Sequence, residues 1–244
     1  MFSGKKVIIF DMDGTLIDSV GIWNAIDREL ISQLGGQALD EESIQHERDE
    51  VLRANAHMND PYLEYCHFLK ERHGLIGDKV SIRNERYAIS KQYLREKVDF
   101  KPNVEHFLHF LKSKGFTLVI ATTTGKIALD IYQHSNEMMM QKVNIAETFA
   151  HVLGRESVQN IKPHPEIHHL VMERLGVQAH ECLIIEDSII GLEAGLNAGI
   201  DVLIMQDTYS LGDKEALQQK AKGYFEDYEA LLACARREFA FKDE

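Results

Sequence analysis

Short apolar runs recur along the chain, and stretches in which apolar residues have helical spacing separate most of them. The runs are rich in aliphatic and β-branched residues and end in polar residues or glycine, which is typical of buried strands. They cover residues 7–10, 117–121, 149–153, 182–185 and 202–205. Helical spacing is clear in 103–114, 166–175 and 213–219. Strands and helices that alternate in this way predict an α/β fold with a parallel sheet.

The interval 18–97 breaks this alternation. It contains no convincing strand, is rich in charged and helix-forming residues, and repeats its apolar positions at helical spacing. Turn-forming residues divide it at 35–36, 59–61 and 74–78. We therefore predict a cap of about four helices over residues 18–97, inserted after the first strand and lying over the site, with residues 1–17 and 98–244 forming the core.

The first strand ends in a pair of carboxylates. Asp11 and Asp13 follow Phe10 directly, and Gly14 allows the chain to turn sharply away. Side chains two residues apart on an extended chain point the same way, so both carboxylates can reach one small volume where α/β sheets bind ligands. Taken alone, an Asp-x-Asp in such a turn is more often simply solvated. Its interpretation as a functional site therefore depends on the other polar segments of the chain.

Three further blocks follow in the chain. Thr122 begins a Thr-Thr-Thr-Gly turn at the end of the second predicted strand, where its hydroxyl could donate to an oxyanion or simply cap a helix. Lys162 stands just before a Pro-His-Pro turn, as either a fixed charge or an ordinary exposed lysine. Glu186 and Asp187 place two more acids at the end of a predicted strand.

Taken together, the four blocks resemble the motifs of the haloacid dehalogenase-like superfamily, and the resemblance covers nearly the whole chain. The matching residues are Asp11-Met12-Asp13-Gly14-Thr15, Thr122, Lys162 and Glu186-Asp187. The resemblance is to the capped phosphatase and β-phosphoglucomutase-like branch. It implies a Rossmann-like parallel sheet core with an inserted all-helical cap, in agreement with the pattern of 18–97.

The resemblance also implies roles for single residues. The residue that matches Asp11 is the nucleophile that forms an aspartyl-phosphate, and the one that matches Asp13 is the general acid and base. Phosphate oxygens would be held by Thr122, Thr123 and Lys162. We therefore expect a phosphoric monoester hydrolase whose substrate is a sugar phosphate or a similar small monoester.

The implied cofactor is Mg²⁺. Its ligands would be Asp11, the backbone carbonyl of Asp13, and Asp187, with Glu186 in direct or indirect contact. Two unit charges about 4 Å apart repel by roughly 4 kcal/mol at an effective dielectric constant near 20. Several such repulsions beside a phosphate dianion exceed the attraction that Lys162 alone provides. A divalent cation with oxygen ligands would supply the missing positive charge.

Two positions separate reaction classes within the resemblance. Dehalogenases carry a tyrosine where this chain has Asp13, so phosphoryl transfer is favoured. Phosphomutases of the β-phosphoglucomutase type carry a histidine where this chain has Trp23, so a phosphatase is favoured and a mutase is the alternative. A non-catalytic ligand-binding protein on the same fold is a third hypothesis. Trp23, Arg48 and Arg53 are our candidate substrate contacts on the cap, although a solvated helix face also explains the two arginines.

The composition limits the kinds of molecule that this protein is expected to bind. A net charge of −12, with no basic stretch, argues against nucleic acids and anionic membranes, and leaves a small phosphorylated metabolite that needs a locally positive site. No apolar segment approaches the length of a membrane span. The three cysteines are scattered, which suggests a reducing cytoplasm: Cys66, Cys182 and Cys234. The sequence leaves the oligomeric state open.

Overall fold

A computed structural model describes residues 1–37 and 40–240. Its centre is a six-stranded sheet whose neighbouring strands all run parallel. The strands are β1 (Val7–Phe10), β2 (Thr117–Ala121), β3 (His151–Leu153), β4 (Cys182–Glu186), β5 (Asp201–Met205) and β6 (Gly223–Phe225). Their order in space is β3-β2-β1-β4-β5-β6, the Rossmann order in which ligands bind beyond the carboxyl ends of the central strands.

The strand register places the candidate residues at one level. Phe10 of β1 pairs with Ile120 of β2 and with Ile185 of β4. Residues that follow these three therefore leave the sheet side by side, as expected for the carboxyl ends of adjacent parallel strands. Asp11 and Glu186 are consequently neighbours before any side-chain contact is considered.

The four helices that follow β1 directly form one group, and the other eight helices of the described chain form a second. The first group is α1 (Val20–Gln33), α2 (Glu41–Ala54), α3 (Pro61–His73) and α4 (Lys79–Glu96). The second is α5 (Val104–Ser113), α6 (Lys126–His134), α7 (Glu137–Lys142), α8 (Ile145–Thr148), α9 (Glu166–Leu175), α10 (Ile189–Asn197), α11 (Lys214–Lys220) and α12 (Tyr228–Ala240). None of the helices in the described ranges is both long and apolar enough to cross a membrane.

Aspartates cap the N-termini of three of the four cap helices. Asp40 accepts a hydrogen bond from the backbone N–H of Ser43 at 2.9 Å, and Asp60 accepts one from that of Leu63 at 3.0 Å. Asp78 does the same for α4, through the backbone N–H of Ser81 at 2.9 Å. Such caps satisfy amide groups that have no partner within the helix, and each is worth about 1 kcal/mol.

Apolar side chains fill both faces of the sheet. Along β1, Ile8 and Phe10 pack into the cluster on one face, and Val7 and Ile9 into the cluster on the other. This alternation follows from the twofold period of a strand. The cap has a small core of its own, which includes Leu30, Ile44, Tyr65, Leu69 and Ile82.

The two chain connections between cap and core run next to each other. The backbone N–H of Asp18 donates to the carbonyl of Asp99 at 3.0 Å, and Ile17 forms an antiparallel bridge with Phe100. Four helices inserted at this point agree with the predicted all-helical cap. The boundaries at 17/18 and 97/98 stay a prediction, and residues 38–39 and 241–244 lie outside the described ranges.

Candidate active site

A cavity of about 1040 Å³ lies between the cap and the carboxyl ends of the strands. The cap reaches over it and touches the core on both sides. Arg155 donates to the backbone carbonyl of Asn59 at 2.5 Å, and the Tyr209 hydroxyl donates to Glu41 at 2.8 Å. The candidate residues that line this cavity are Asp11, Asp13, Trp23, Arg48, Arg53, Thr123, Lys162, Glu186 and Asp187.

The centre of the site is a buried lysine between two carboxylates. Lys162 Nζ lies 2.6 Å from Asp11 Oδ1 and 2.5 Å from Glu186 Oε1. Burial raises the pKa of the Asp11 carboxyl to about 7, although the charge of Lys162 opposes this shift. Burial alone would lower the pKa of Lys162, but the charges of Asp11 and Glu186 outweigh it and raise that pKa, so the ammonium stays charged.

Asp187 completes a cluster of acids. The Thr15 hydroxyl donates to Asp187 Oδ1 at 2.8 Å. Burial, followed by the charges of Glu186 and Asp11, raises the pKa of Asp187 well above its ordinary value. Gly14, with φ of +79°, passes so close that a Cβ there would lie 2.4 Å from Asp187 Oδ2. The turn after β1 therefore needs glycine both for its backbone angle and for space.

The acids form a set that fits a divalent cation. Asp11, Glu186 and Asp187 each offer a carboxylate oxygen, and these atoms lie within 4.8 Å of one another. An all-oxygen donor set is what Mg²⁺ prefers. Three buried carboxylates against the single charge of Lys162 leave an excess of negative charge, which a cation would balance.

Asp13 is held by donors from three parts of the chain. Its Oδ1 accepts hydrogen bonds from Ser19 Oγ at 2.5 Å, from Trp23 Nε1 at 3.0 Å and from the Tyr132 hydroxyl at 3.3 Å. Its Oδ2 accepts one from the Thr124 hydroxyl. Trp23, predicted as a substrate contact, thus contacts the candidate acid and base directly.

The three threonines of the turn after β2 differ in what their side chains contact. Thr123 and Thr124 line the cavity, whereas Thr122 is buried and is not among its lining residues. The Thr122 hydroxyl lies 2.9 Å from that of Thr124 and accepts a hydrogen bond from the backbone N–H of Thr124. Thr122 therefore supports the turn, and phosphate binding by Thr122 and Thr123 stays a prediction.

The cap wall is built around one buried carboxylate. Asp27 accepts from Arg48 Nη1 at 2.8 Å and from Arg86 Nε at 2.6 Å, and all three side chains are buried. Two guanidinium groups against one carboxylate leave this group of three side chains with a net positive charge. Arg53, by contrast, is half-exposed and lies 4.0 Å from Glu193. Substrate contact by Arg48 and Arg53 stays a prediction.

Sequence reasoning missed several of these contacts. Arg86 lies 4.6 Å from the centroid of the Trp23 ring, yet nothing in its local sequence distinguishes it from other helical arginines. Tyr132 is a fully buried tyrosine on α6, where an apolar helical position is the ordinary interpretation. Only Thr124 had a sequence signal, since it belongs to the Thr-Thr-Thr-Gly turn.

Comparison with known proteins points in the same direction as the geometry. Residues 8–205 match the sequence model of the family described as haloacid dehalogenase-like hydrolase. A phosphorylated carbohydrates phosphatase of Thermotoga maritima is 29% identical over 212 residues, which are 87% of this chain and 89% of the relative. A phosphoglycolate phosphatase of Colwellia psychrerythraea is 27% identical and is matched over 96% of this chain and 98% of its own.

Solved structures show the same fold. A Thermotoga maritima protein with the provisional name β-phosphoglucomutase superposes with a TM-score of 0.70 at 25% identity, over 95% of this chain and 99% of that one. CbbY from Rhodobacter sphaeroides, in complex with phosphate, gives a TM-score of 0.72 at 21% identity, over 92% of this chain and 95% of its own.

Proposed function

The chain belongs to the haloacid dehalogenase-like hydrolase family, and from that premise we propose that it is a Mg²⁺-dependent phosphatase of a small phosphorylated metabolite. The observation that carries the proposal is the contact of Lys162 with Asp11, inside a buried cluster of acids that lines a covered cavity. A nucleophilic carboxylate, a fixed cation for phosphate oxygens and a donor set for a divalent cation are the parts that phosphoryl transfer requires.

In the proposed first step, a carboxylate oxygen of Asp11 attacks the phosphorus and the bond to the ester oxygen breaks. Asp13 gives its proton to the departing alkoxide, so an alcohol leaves and an aspartyl-phosphate remains. In the second step Asp13 takes a proton from water, the water oxygen attacks the same phosphorus, and inorganic phosphate leaves Asp11 free. Lys162 holds phosphate oxygens throughout.

Asp11, Asp187 and Glu186, with the backbone carbonyl of Asp13, would hold the magnesium ion. When bound, the ion supplies positive charge that polarises the phosphoryl group and reduces its repulsion by the carboxylates. Lys162 supplies the remaining positive charge at the centre of the site.

The substrate class rests on the covered cavity and on the named relatives. The cap contacts the core on both sides of the cavity, which favours a small molecule over a macromolecule. Relatives that match most of this chain carry the names phosphorylated carbohydrates phosphatase and phosphoglycolate phosphatase. Both names describe small phosphate monoesters, and sugar phosphates and similar monoesters are our candidates.

The test is hydrolysis by the purified protein of an aryl phosphate and of a panel of phosphorylated sugars and small acids. We expect release of inorganic phosphate that requires Mg²⁺ and stops with a chelator. Asp11→Asn should abolish it, because an amide is a poor nucleophile, whereas Asp130→Asn, a half-exposed change on α6, should not. Full activity with excess chelator, or full activity of Asp11→Asn, would contradict the proposal.

A phosphomutase is the second candidate, because one solved relative carries the provisional name β-phosphoglucomutase. Hydrolysis is favoured by Trp23, whose indole nitrogen donates to Asp13 and, unlike an imidazole, has no accepting form. Phosphorus NMR separates the two reactions with a sugar monophosphate as substrate. Conversion into an isomeric sugar phosphate without release of inorganic phosphate would favour the mutase.

A further inference from the structure

Tyr132 occupies an unusual place for a core tyrosine. Its ring is fully buried in the apolar cluster between α6 and the sheet, together with Leu129 and Phe10. Its hydroxyl nevertheless lies 3.3 Å from Oδ1 of Asp13, which lines the cavity. A phenol at the end of a rigid, enclosed ring is a donor whose position the surrounding core determines.

The other donors to Asp13 lie on different parts of the chain. Trp23 belongs to the first cap helix, Ser19 is the residue just before that helix, and Thr124 lies in the turn after β2. Tyr132 alone among these four donors lies on a helix of the core. Because a carboxylate pivots about its side-chain bonds, a donor fixed in the core gives Asp13 a reference point that does not depend on the cap.

We propose that Tyr132 is a positioning residue for Asp13: its hydroxyl fixes the orientation of the carboxylate that exchanges protons with the leaving group and with water. The inference rests on the proposed function. The phenol neither contacts the phosphate site nor reacts, and it acts only through Asp13. Hydrogen bonds to ionised groups are stronger than those between neutral groups, so one such bond is enough to bias an orientation.

The first test is the dependence of the rate on the leaving group. Tyr132→Phe keeps the ring and removes the hydroxyl. General acid catalysis is worth roughly 100- to 10,000-fold, and it matters most for leaving groups of high pKa. The water step is common to both substrates, so kcat/KM, which covers only the steps up to formation of the aspartyl-phosphate, is the quantity to compare. We expect kcat/KM to fall about tenfold more for an alkyl phosphate than for a nitrophenyl phosphate, as partial loss of that contribution.

Tyr228→Phe is the matched control. Tyr228 is also fully buried, and its hydroxyl donates to the backbone carbonyl of Thr15 at 3.1 Å rather than to Asp13. Both variants therefore lose a buried hydrogen bond, but only Tyr132→Phe loses a contact with Asp13. Tyr228→Phe should reduce the rates with both phosphates by the same factor.

The second test does not need turnover. Trp23 is the single tryptophan of the chain, and its indole N–H donates to the same Asp13 oxygen that accepts from Tyr132. Its single indole N–H resonance in a ¹H–¹⁵N spectrum thus reports the position of Asp13. Tyr132→Phe should shift that resonance, and Tyr228→Phe should leave it in place.

The outcomes separate this inference from the proposed function. A wild-type protein without any phosphatase activity defeats the proposed function and this inference with it. An active wild-type protein defeats the inference alone if Tyr132→Phe lowers kcat/KM equally for alkyl and aryl phosphates, or if the indole resonance stays in place. Unequal losses together with a shifted resonance support the assignment.

Discussion

At the scale of single residues, Glu186 can lie beside Lys162 because residue 191 has no side chain. Gly191 is in the first turn of α10, and a Cβ built on it would lie 1.8 Å from the carboxyl carbon of Glu186. Glu186 Oε2 accepts from the backbone N–H of Asp187 at 3.0 Å, which fixes the carboxylate over this helix. The close approach of a backbone to a functional group is one of the few needs that only glycine meets.

Gly191→Ala should therefore disable the site with little change in the helix. Alanine favours a helix over glycine by roughly 0.5–1 kcal/mol, so α10 itself should tolerate the change, but Glu186 must move away from Lys162. We expect kcat/KM to fall more than about tenfold, the scale of one lost charge-assisted hydrogen bond. Gly212→Ala is the control, because nothing lies within 4 Å of a Cβ there. Equal kinetics for both variants would show that the position of Glu186 is unimportant.

Residues at strand ends, and the lysine before the Pro-His-Pro turn, were the part of the site that the sequence could predict. The motifs identified Asp11, Asp13, Lys162 and the acidic pair at 186–187, and the fold brings them to one cavity. Contacts supplied from helix interiors were missed. Tyr132 looks like any apolar position of α6, because the meeting of its hydroxyl with Asp13, 119 residues earlier, depends on the packing of α6 against the sheet.

At the scale of elements, the cap depends on a buried charge network as well as on its small apolar core. Asp27 of α1 binds Arg48 of α2 and Arg86 of α4, and it also accepts from the Tyr65 hydroxyl of α3 at 3.1 Å. One carboxylate thus joins all four cap helices. Burial would raise the pKa of Asp27, but the two guanidinium charges outweigh it and lower that pKa.

Asp27→Asn should destabilise the cap strongly. Removal of one partner from a buried ion pair leaves the other charge uncompensated and costs about 3–5 kcal/mol. Urea unfolding followed by the fluorescence of Trp23, which lies on α1, measures this loss. Arg28 is the next residue after Asp27 along α1 and forms an exposed pair with Glu41 of α2. Arg28→Ala breaks that pair and should change the free energy of unfolding by less than about 1 kcal/mol. Equal effects of the two changes would contradict the role of the network.

Helices and strands were predicted correctly where the hydrophobic pattern extended over enough residues, and were missed where the segment was too short. All five predicted strands are present, although the third begins at His151 rather than at residue 149. β6 was missed because Gly223–Phe225 has three residues and its residues are only partly buried, which leaves too little pattern to recognise. The short helices α7 and α8 were missed for the same reason, since six and four residues do not complete two helical turns.

At the scale of the whole molecule, charge is distributed unevenly between surface and site. The chain carries a net charge of −12, yet Lys162 and the pair of arginines around Asp27 supply buried positive charge on the two walls of the cavity. An anionic metabolite would meet these buried positive groups after it enters between cap and core. The acids beside Lys162 repel such an anion and one another, so the stability of this part of the site depends on protons and cations.

The last prediction concerns how that stability depends on pH. Burial raises the pKa of Asp11 from 3.8 to about 7 and raises the pKa of Asp187 as well. Between about pH 4 and pH 7 the folded chain therefore binds more protons at these groups than the unfolded chain does, so their contribution to stability falls as pH rises. A bound cation displaces the protons and should reverse this loss.

Asp187→Asn isolates the effect, because the amide oxygen keeps the hydrogen bond from Thr15 and removes one acid. The quantity to measure, in a chelator, is the midpoint of thermal unfolding of Asp187→Asn minus that of the wild type. This difference should be larger at pH 7.5 than at pH 5. Added Mg²⁺ should raise the wild-type midpoint more at pH 7.5 than at pH 5, and should raise that of Asp187→Asn much less. The opposite result would be a wild type that, in a chelator, becomes more stable than Asp187→Asn as pH rises. It would show that the carboxylates of Asp11, Glu186 and Asp187 do not repel one another and that no cation is needed to balance their charge.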